Sequence, residues 1–289
     1  MADSAMSGTP CPSCGVGSPR THFRGRRRNG FTVLSCRACG LAYASPRPTP
    51  DDLEAYYAKS YFTGGGGEFG YVDYDSGAAA NARAMWSELR SILGRSVPAE
   101  GRVLDVGCAT GHFLAAAAAE GWVAVGTDFS EFAAGEASQH GGVRSYGGTL
   151  VPPTGSEDPF DLVTMWHVLE HVVDPAEGLA EIRPLVRPGG TLFIELPNWT
   201  SLGRHIRGLD WKQLKPPEHI NFFTPSALAK AVTAAGFVVQ RKWTVYPTFD
   251  RTAADPNTAP WRRWGAGLVG AALNRIHRGG YARVLATAP

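Results

Sequence analysis

Three groups of residues in this 289-residue sequence carry chemistry by their types and spacing. The first is Cys11-Pro-Ser-Cys14-Gly15 followed, after a 21-residue gap, by Cys36-Arg-Ala-Cys39-Gly40. Two C-x-x-C-G turns at this separation predict a four-cysteine metal site. The glycines would take positive φ, and the four thiolates would close a tetrahedron around zinc, or iron on ligand type alone. A closed site does no catalysis; its work is to hold together a segment too small for its own core. A redox C-x-x-C pair is the weaker reading, since such a pair stands beside a β-α-β unit.

The second group lies in residues 103–114, VLDVGCATGHFL. Strand-type residues run into Gly107 and Gly111, and an Ala-rich helical segment follows. Gly107 and Gly111 would remove β-carbons that keep a ligand from the backbone, and the following helix start offers free N–H groups. A dinucleotide fingerprint needs three glycines, and Ala109 and His112 occupy two of those places, which argues against NAD or FAD. A further strand, 122–127, ends in Asp128, at the distance from Asp105 where a β-α-β unit sets an acid over a ribose diol. Phe129 follows, placed to cover an adenine face. Alternatively, Asp128 is only the cap of the next helix.

The third group is histidine-rich. Trp166-His167-Val-Leu-Glu170-His171 follows an apolar strand, and its H-x-x-E-H pattern matches inverted zinc peptidases. His167 and His171, four apart, would share a helix face, but no third ligand stands out downstream. Each histidine is equally readable as a packed or capping residue. Farther on, WKQLKPPEHINFFT spans 211–224: two prolines precede Glu218 and His219, and Phe222 and Phe223 anchor the chain. Such a loop delivers one histidine to a set place. With an unperturbed pKa of about 6.5, histidine suits proton removal near neutrality.

The elements that must position these groups alternate. Strands are expected at 102–106, 122–127, near 143, at 160–165, 191–196, 236–242 and 283–286. Helices are expected at 51–61, 78–93, 113–120, 131–140, 176–183, 224–235 and 261–277, with a turn at 187–190. This alternation predicts a parallel sheet covered on both faces, with its ligand at the carboxyl ends of the strands. The expected organisation is a disordered 1–10, a zinc ribbon over 11–50, a helical lead segment and lid over 51–97, and an α/β core over 98–289. Within the core, 200–223 is a substrate-loop insertion and 250–280 a helical insertion.

The pattern D-x-G-x-x-x-G resembles motif I of the class I S-adenosylmethionine (SAM) methyltransferases, with Ala109 where many members carry a third glycine. L-E-H-V after the fourth core strand, E-x-P-N at 195–198 and P-x-H-x-x-F-F at 217–223 resemble the same family. The two C-x-x-C-G turns resemble its bacterial subgroup with an N-terminal zinc-binding segment. The resemblance implies a Rossmann-like seven-stranded sheet behind a small zinc ribbon, and methyl transfer from SAM. It places SAM against Asp105, Gly107, Cys108, Ala109, Gly111, Asp128, Phe129, Thr149, Leu150 and Trp166. It makes His219 the general base, assisted or replaced by His167 or His171, with Glu170 orienting. Tyr56, Tyr57 and Trp211 are candidates for the acceptor pocket.

The acceptor expected is a hydroxyl of a small molecule or sugar-containing natural product, with an amine or carbon acceptor behind it. RNA is the second enzyme reading, because Arg24, Arg26, Arg27 and Arg28 between the cysteine pairs would grip phosphates. A solvated hairpin tip explains the arginines equally, and the net charge of +2 carries no global nucleic-acid signature. A SAM-binding interaction protein without catalysis is the third. No 18-residue apolar run and no apolar leader occur, so a cytoplasmic chain without a membrane span is expected. Oligomeric state is not legible.

Overall fold

Val103, Leu104, Leu162, Val163, Phe193 and Ile194 are all fully buried. Successive strand residues face opposite sides of a sheet, so runs apolar at every position require a layer on each face. That arrangement is found in the computed structural model, which describes residues 10–17, 20–21, 30–49, 52, 78–246 and 271–289.

In chain order the elements are β1 (Arg20–Thr21), β2 (Thr32–Ser35), β3 (Ala42–Ser45), α1 (Ala78–Leu93), β4 (Arg102–Val106), α2 (His112–Ala118), β5 (Val123–Asp128) and α3 (Glu131–Ala137). There follow β6 (Val143–Gly147), β7 (Phe160–Trp166), α4 (Pro175–Ile182), β8 (Val186–Pro197), α5 (Leu202–Arg207), β9 (Asn221–Phe222), α6 (Pro225–Ala234), β10 (Val238–Val245) and β11 (Tyr281–Thr287). The main sheet has the order β10-β11-β8-β7-β4-β5-β6. Its strands from β6 to β8 are parallel, and β11 is antiparallel to both β8 and β10. The order reverses between β4 and β7, and this opens a crevice at their carboxyl ends.

One face carries a core of Trp86, Leu89, Phe113, Leu114 and Phe193 beneath α1 and α2. The other packs Leu104, Met165 and Ile194 against Leu179 of α4 and Leu228 and Val232 of α6. Thr224 caps α6, its Oγ1 accepting from Ala227 N at 3.0 Å, with Pro225 opening the first turn.

Two expectations are corrected. The turn expected at 187–190 lies inside β8: Phe160 pairs with Val186 and Leu162 with Thr191, so the four residues loop out of one continuous strand. The ribbon is also not self-contained. β1, β2 and β3 form a four-stranded sheet whose last member is β9, contributed by the loop between β8 and α6. Leu34, Leu41 and Tyr43 are buried in the same cluster as Phe223 and Val172. Short antiparallel strands have too little apolar surface to fold alone, and this hairpin gains it from the larger unit.

The expected disordered start (1–9), the arginine cluster (24–28), the helix at 51–61 with Tyr56 and Tyr57, and most of the 250–280 insertion lie outside the described residues. Residues 271–275 are helical. Among the described residues no helix is long and apolar enough to cross a membrane.

Candidate functional site

β4 delivers Asp105 to the crevice and turns through Gly107 and Gly111 into α2. Gly107 N and Cys108 N donate to Thr127 O at 2.8 and 2.9 Å, which ties the turn to β5. Asp128, at the end of β5, accepts from Ser130 N at 2.8 Å and from Ala109 N at 3.0 Å. Burial pushes the Asp105 carboxyl up to about 7, although Thr164 Oγ1 donates to it at 2.6 Å; the charge of Asp128 pushes the same way. Burial raises Asp128 as well, against the backbone N–H groups of Ser130 and Ala109. Two desolvated carboxyls on adjacent strand ends favour a ligand bringing positive charge and hydroxyl donors.

The glycines act differently from the sequence-based expectation. Gly107 has φ +74°, and a β-carbon there would stand 2.4 Å from Val168 Cγ2; Gly111 has φ +82°, and one there would stand 2.7 Å from Ala137 Cα. The close approach they permit is therefore between this turn, α3 and the segment after β7. Ala109 takes φ +48°, which shows how an alanine serves in the third glycine's place: it pays for a left-handed backbone instead of avoiding it. Cys108 Sγ points toward Gly126, where a β-carbon would meet it at 2.5 Å. Burial holds that thiol protonated, so the residue contributes backbone to the turn and sulfur to the core.

Phe129 is 49% exposed beside Asp128, an unusual state for a large apolar ring. Leu150 O accepts from Thr127 Oγ1 at 2.8 Å, and Thr149 N donates to Asp128 O at 3.4 Å, folding this loop over the end of β5. Trp166 packs edge-on to Phe113 and against Phe193, and its buried indole N–H has no hydrogen-bond partner among the described residues.

The histidines occupy a turn, not a helix. Residues 167–171 form a single turn, closed by His171 N donating to Val168 O at 2.8 Å, and His167 takes φ +56°. The shared helix face expected for a His167–His171 metal pair is absent. His167 instead lies between two carboxylates, with Nδ1 3.4 Å from Glu170 and Nε2 3.3 Å from Glu195. Burial alone would lower its pKa, but Glu170 and Glu195 outweigh it and bring the group to about 10. His167 is an imidazolium at neutral pH, with no lone pair to offer.

His171 and His219 are the reverse case. Their rings meet edge to face, 4.7 Å apart. Burial pushes His219 well below 6.5, with the charges of His171, Lys215 and His167 adding to it, and burial lowers His171 against the pull of Glu170 and Glu218. His171 Nδ1 lies 2.8 Å from Glu218 O and His219 Nδ1 lies 3.0 Å from Gln213 O. A carbonyl only accepts, so both Nδ1 atoms carry a proton, and in a neutral ring the lone pair is then on Nε2. Glu170 is 1% exposed, and among the described residues its oxygens have the His167 imidazolium as ion-pair partner but make no well-aligned hydrogen bond. Ligand atoms of Glu170, His171 and His219 all lie within 4.8 Å of one another. His219 is brought in by a loop 48 residues after His171, and His167, which the H-x-x-E-H reading requires, is not in this group. Two imidazoles and a carboxylate meet there, and the arrangement suits a proton donor or a cation.

At the N-terminal sheet, Sγ atoms of Cys11 and Cys39 are 3.6 Å apart and those of Cys14 and Cys36 are 3.5 Å apart. All four are within 4.8 Å of one another. A tetrahedral ion with bonds of about 2.3 Å needs sulfurs about 3.8 Å apart, whereas a disulfide needs about 2.05 Å. Gly15 and Gly40 take φ +70° and +86°, and each donates its N–H back to the first cysteine of its pair.

Trp211 is 7% exposed and packs at a tilt against Trp199, in one cluster with Ala42 and Phe222 of the β3–β9 pair. Sequence reasoning passed over Arg283, which ion-pairs with Glu195 and forks onto Glu88 at 2.7 and 3.2 Å. It also passed over Thr164, over Lys215 paired with Glu218, and over Arg47. Only Lys215, three residues before Glu218, left a local signal.

Residues 78–242 match the family model described as a methyltransferase domain. Two relatives are ubiquinone biosynthesis O-methyltransferases: that of Aeromonas salmonicida is 34% identical over 48% of this chain and 63% of its own, and that of Aromatoleum aromaticum 34% identical over 47% and 63%. The chain thus spans under two thirds of these curated relatives. An S-adenosylmethionine-dependent methyltransferase from Mesorhizobium loti superposes with a TM-score of 0.51 over 71% of this chain and 97% of its own, at 21% identity. With the seven-strand order, the Asp105–Gly111 turn and the family match over 78–242, the chain belongs to the methyltransferase-domain family and has its Rossmann-like class I fold.

Proposed function

We propose that the protein methylates a hydroxyl of a small molecule or sugar-containing acceptor by in-line transfer, with His219 as general base. The observation that carries this reading is the convergence of the His171 and His219 imidazoles on the buried Glu170 carboxylate, with their ligand atoms within 4.8 Å of one another. The acceptor O–H gives its one proton to His219 Nε2 while Gln213 O keeps Nδ1–H in place. SAM, when bound, supplies an electrophilic methyl on a sulfonium that leaves as a neutral thioether. Asp105 and Asp128 hold its amino-acid and ribose portions, while Phe129, Thr149 and Leu150 flank the adenine. Glu170 holds the imidazolium of His167 on one side and the acceptor on the other. Oxygen is favoured over nitrogen or carbon because neutral imidazoles suit an O–H and because the relatives named above are O-methyltransferases by name.

Purified protein with methyl-labelled SAM should form a methyl ether on members of a panel containing a catechol acid, a phenol and a nucleotide sugar. Label entering only amines, or only RNA with a steep loss of rate as salt rises, would reject the reading. The RNA alternative rests on arginines 24–28, which lie outside the described residues.

We also read the four thiols as the holder of one structural zinc ion, as their S–S spacing supports. Elemental analysis should find one equivalent per chain, and Cys39→Ser should lower that content by half or more. Full metal content in a quadruple serine variant would refute it.

A further inference from the structure

The four-cysteine hairpin and the two lone-pair histidines are distant in sequence but share hydrogen bonds. β3 pairs with β9, Ala42 opposite Phe222 and Tyr43 opposite Asn221, directly after His219. Ile220 O accepts from Ala44 N at 2.9 Å and from Arg47 Nη1 at 2.8 Å. The other arm of the same guanidinium, Nη2, reaches Val172 O at 3.3 Å and Val173 O, directly after His171. The two histidine segments are joined to each other as well. Ile220 N and Asn221 N donate to Glu170 O at 2.9 and 3.0 Å, and Asn221 Nδ2 donates to Leu169 O at 3.1 Å and Val172 O at 2.7 Å. Upstream, Cys36 N donates to Leu41 O at 2.8 Å, and the Cys36–Cys39 turn joins β2 to β3.

We propose that the N-terminal cysteine hairpin is a positioning device for His171 and His219, and that Arg47 is the residue through which it acts. Among the described residues outside the two histidine segments, Arg47 is one that bonds both at once. Its planar fork satisfies three carbonyls that otherwise face each other across the joint, whereas a lysine ammonium is a single point on a flexible stem. The metal end fixes the hairpin turn, β3 carries that order to β9, and Arg47 closes the joint from the linker. Glu218 O, the acceptor that sets the His171 tautomer, belongs to the same loop. Release of the joint therefore loosens both imidazoles, while the Asp105–Gly111 turn keeps its own bonds from Gly107 N and Cys108 N to Thr127 O of β5.

The part these histidines play in methyl transfer rests on the function proposed above; their placement by Arg47 does not, and the test reads placement. Hydrogen exchange, imidazole NMR titration and binding of S-adenosylhomocysteine would be measured on the full chain, on Arg47→Lys and Arg47→Gln, and on wild type stripped by chelator. In both variants, exchange over 169–173 and 218–223 should accelerate about tenfold or more. The two imidazoles should titrate nearer to 6.5 as water enters, and the affinity for S-adenosylhomocysteine should stay within about twofold. Chelation should give the same pattern in wild type. Lysine should recover less than half of the lost protection. Unchanged exchange over both segments in the variants would overturn the proposal, as would faster exchange spread evenly over the chain with loss of S-adenosylhomocysteine binding, which marks plain unfolding. Turnover that survives His219→Gln beside an intact exchange effect would reject the catalytic reading and leave the positioning one standing.

Discussion

Replacing His219 with glutamine should lower kcat by about 10²–10⁴-fold, the usual worth of a general base, while S-adenosylhomocysteine binds within about twofold of wild type. Glutamine preserves approximate size and can still donate to Gln213 O, so the loop keeps its shape and only the lone pair is lost. The pH profile adds a second signature. Burial, then the neighbouring positive groups, hold the His219 pKa well below 6.5, so the neutral base persists below that value. The wild-type rate should therefore stay flat through pH 6.5 and decline only in more acidic solution. A decline centred on 6.5 would mean a solvated imidazole and would remove His219 from the role.

Stability follows the same proton. The folded pKa lies below the unfolded value of about 6.5, so the unfolded chain binds more protons as pH falls. This contribution is fully present above pH 6.5 and is lost progressively below it. Denaturant midpoints should drop with acidity in wild type and drop less in His219→Gln, where only His171 still titrates in the pair.

Gly111→Ala should destabilise the protein by about 2–5 kcal/mol and weaken S-adenosylhomocysteine binding by tenfold or more. The left-handed backbone at φ +82° costs an alanine about 1–2 kcal/mol. The new methyl would also stand 2.7 Å from both Cα and Cβ of Ala137. A helix backbone yields little, and overpacking of this kind costs about 1–3 kcal/mol. Relief requires α3 to move away from the turn, which disturbs Ala109 N and its bond to Asp128. Gly135→Ala on the same helix is the control. A β-carbon there meets nothing within 4 Å, so alanine should stabilise by about 0.5–1 kcal/mol. Denaturant melts of the two variants should move in opposite directions, and equal shifts would contradict the packing described here.

The strands, most helix starts and the cofactor corner were legible because each is written in consecutive residues. Val103 to Val106 reads as a buried strand, Thr224-Pro225 as a helix start, and Asp105 through Gly111 as a turn that few other functions use. The glycines were recognised for an incomplete reason: Val168 and Ala137, the atoms they make room for, come from other parts of the chain. The 187–190 turn was misplaced because Arg-Pro-Gly-Gly marks a local reversal whether or not a strand resumes on the same line afterwards.

Residue types and local spacing were enough to predict a parallel sheet with a glycine turn and a four-thiol cluster, and the resemblance of their motifs to a known family supplied the methyltransferase reading. Which histidine is a cation and which keep lone pairs depended on Glu195, Gln213 and Glu218, whose contacts no pattern in the chain announces. The bond from Arg47 to Ile220 spans 173 positions. It ends on a backbone carbonyl, a group every residue carries, so folding alone could select that partner.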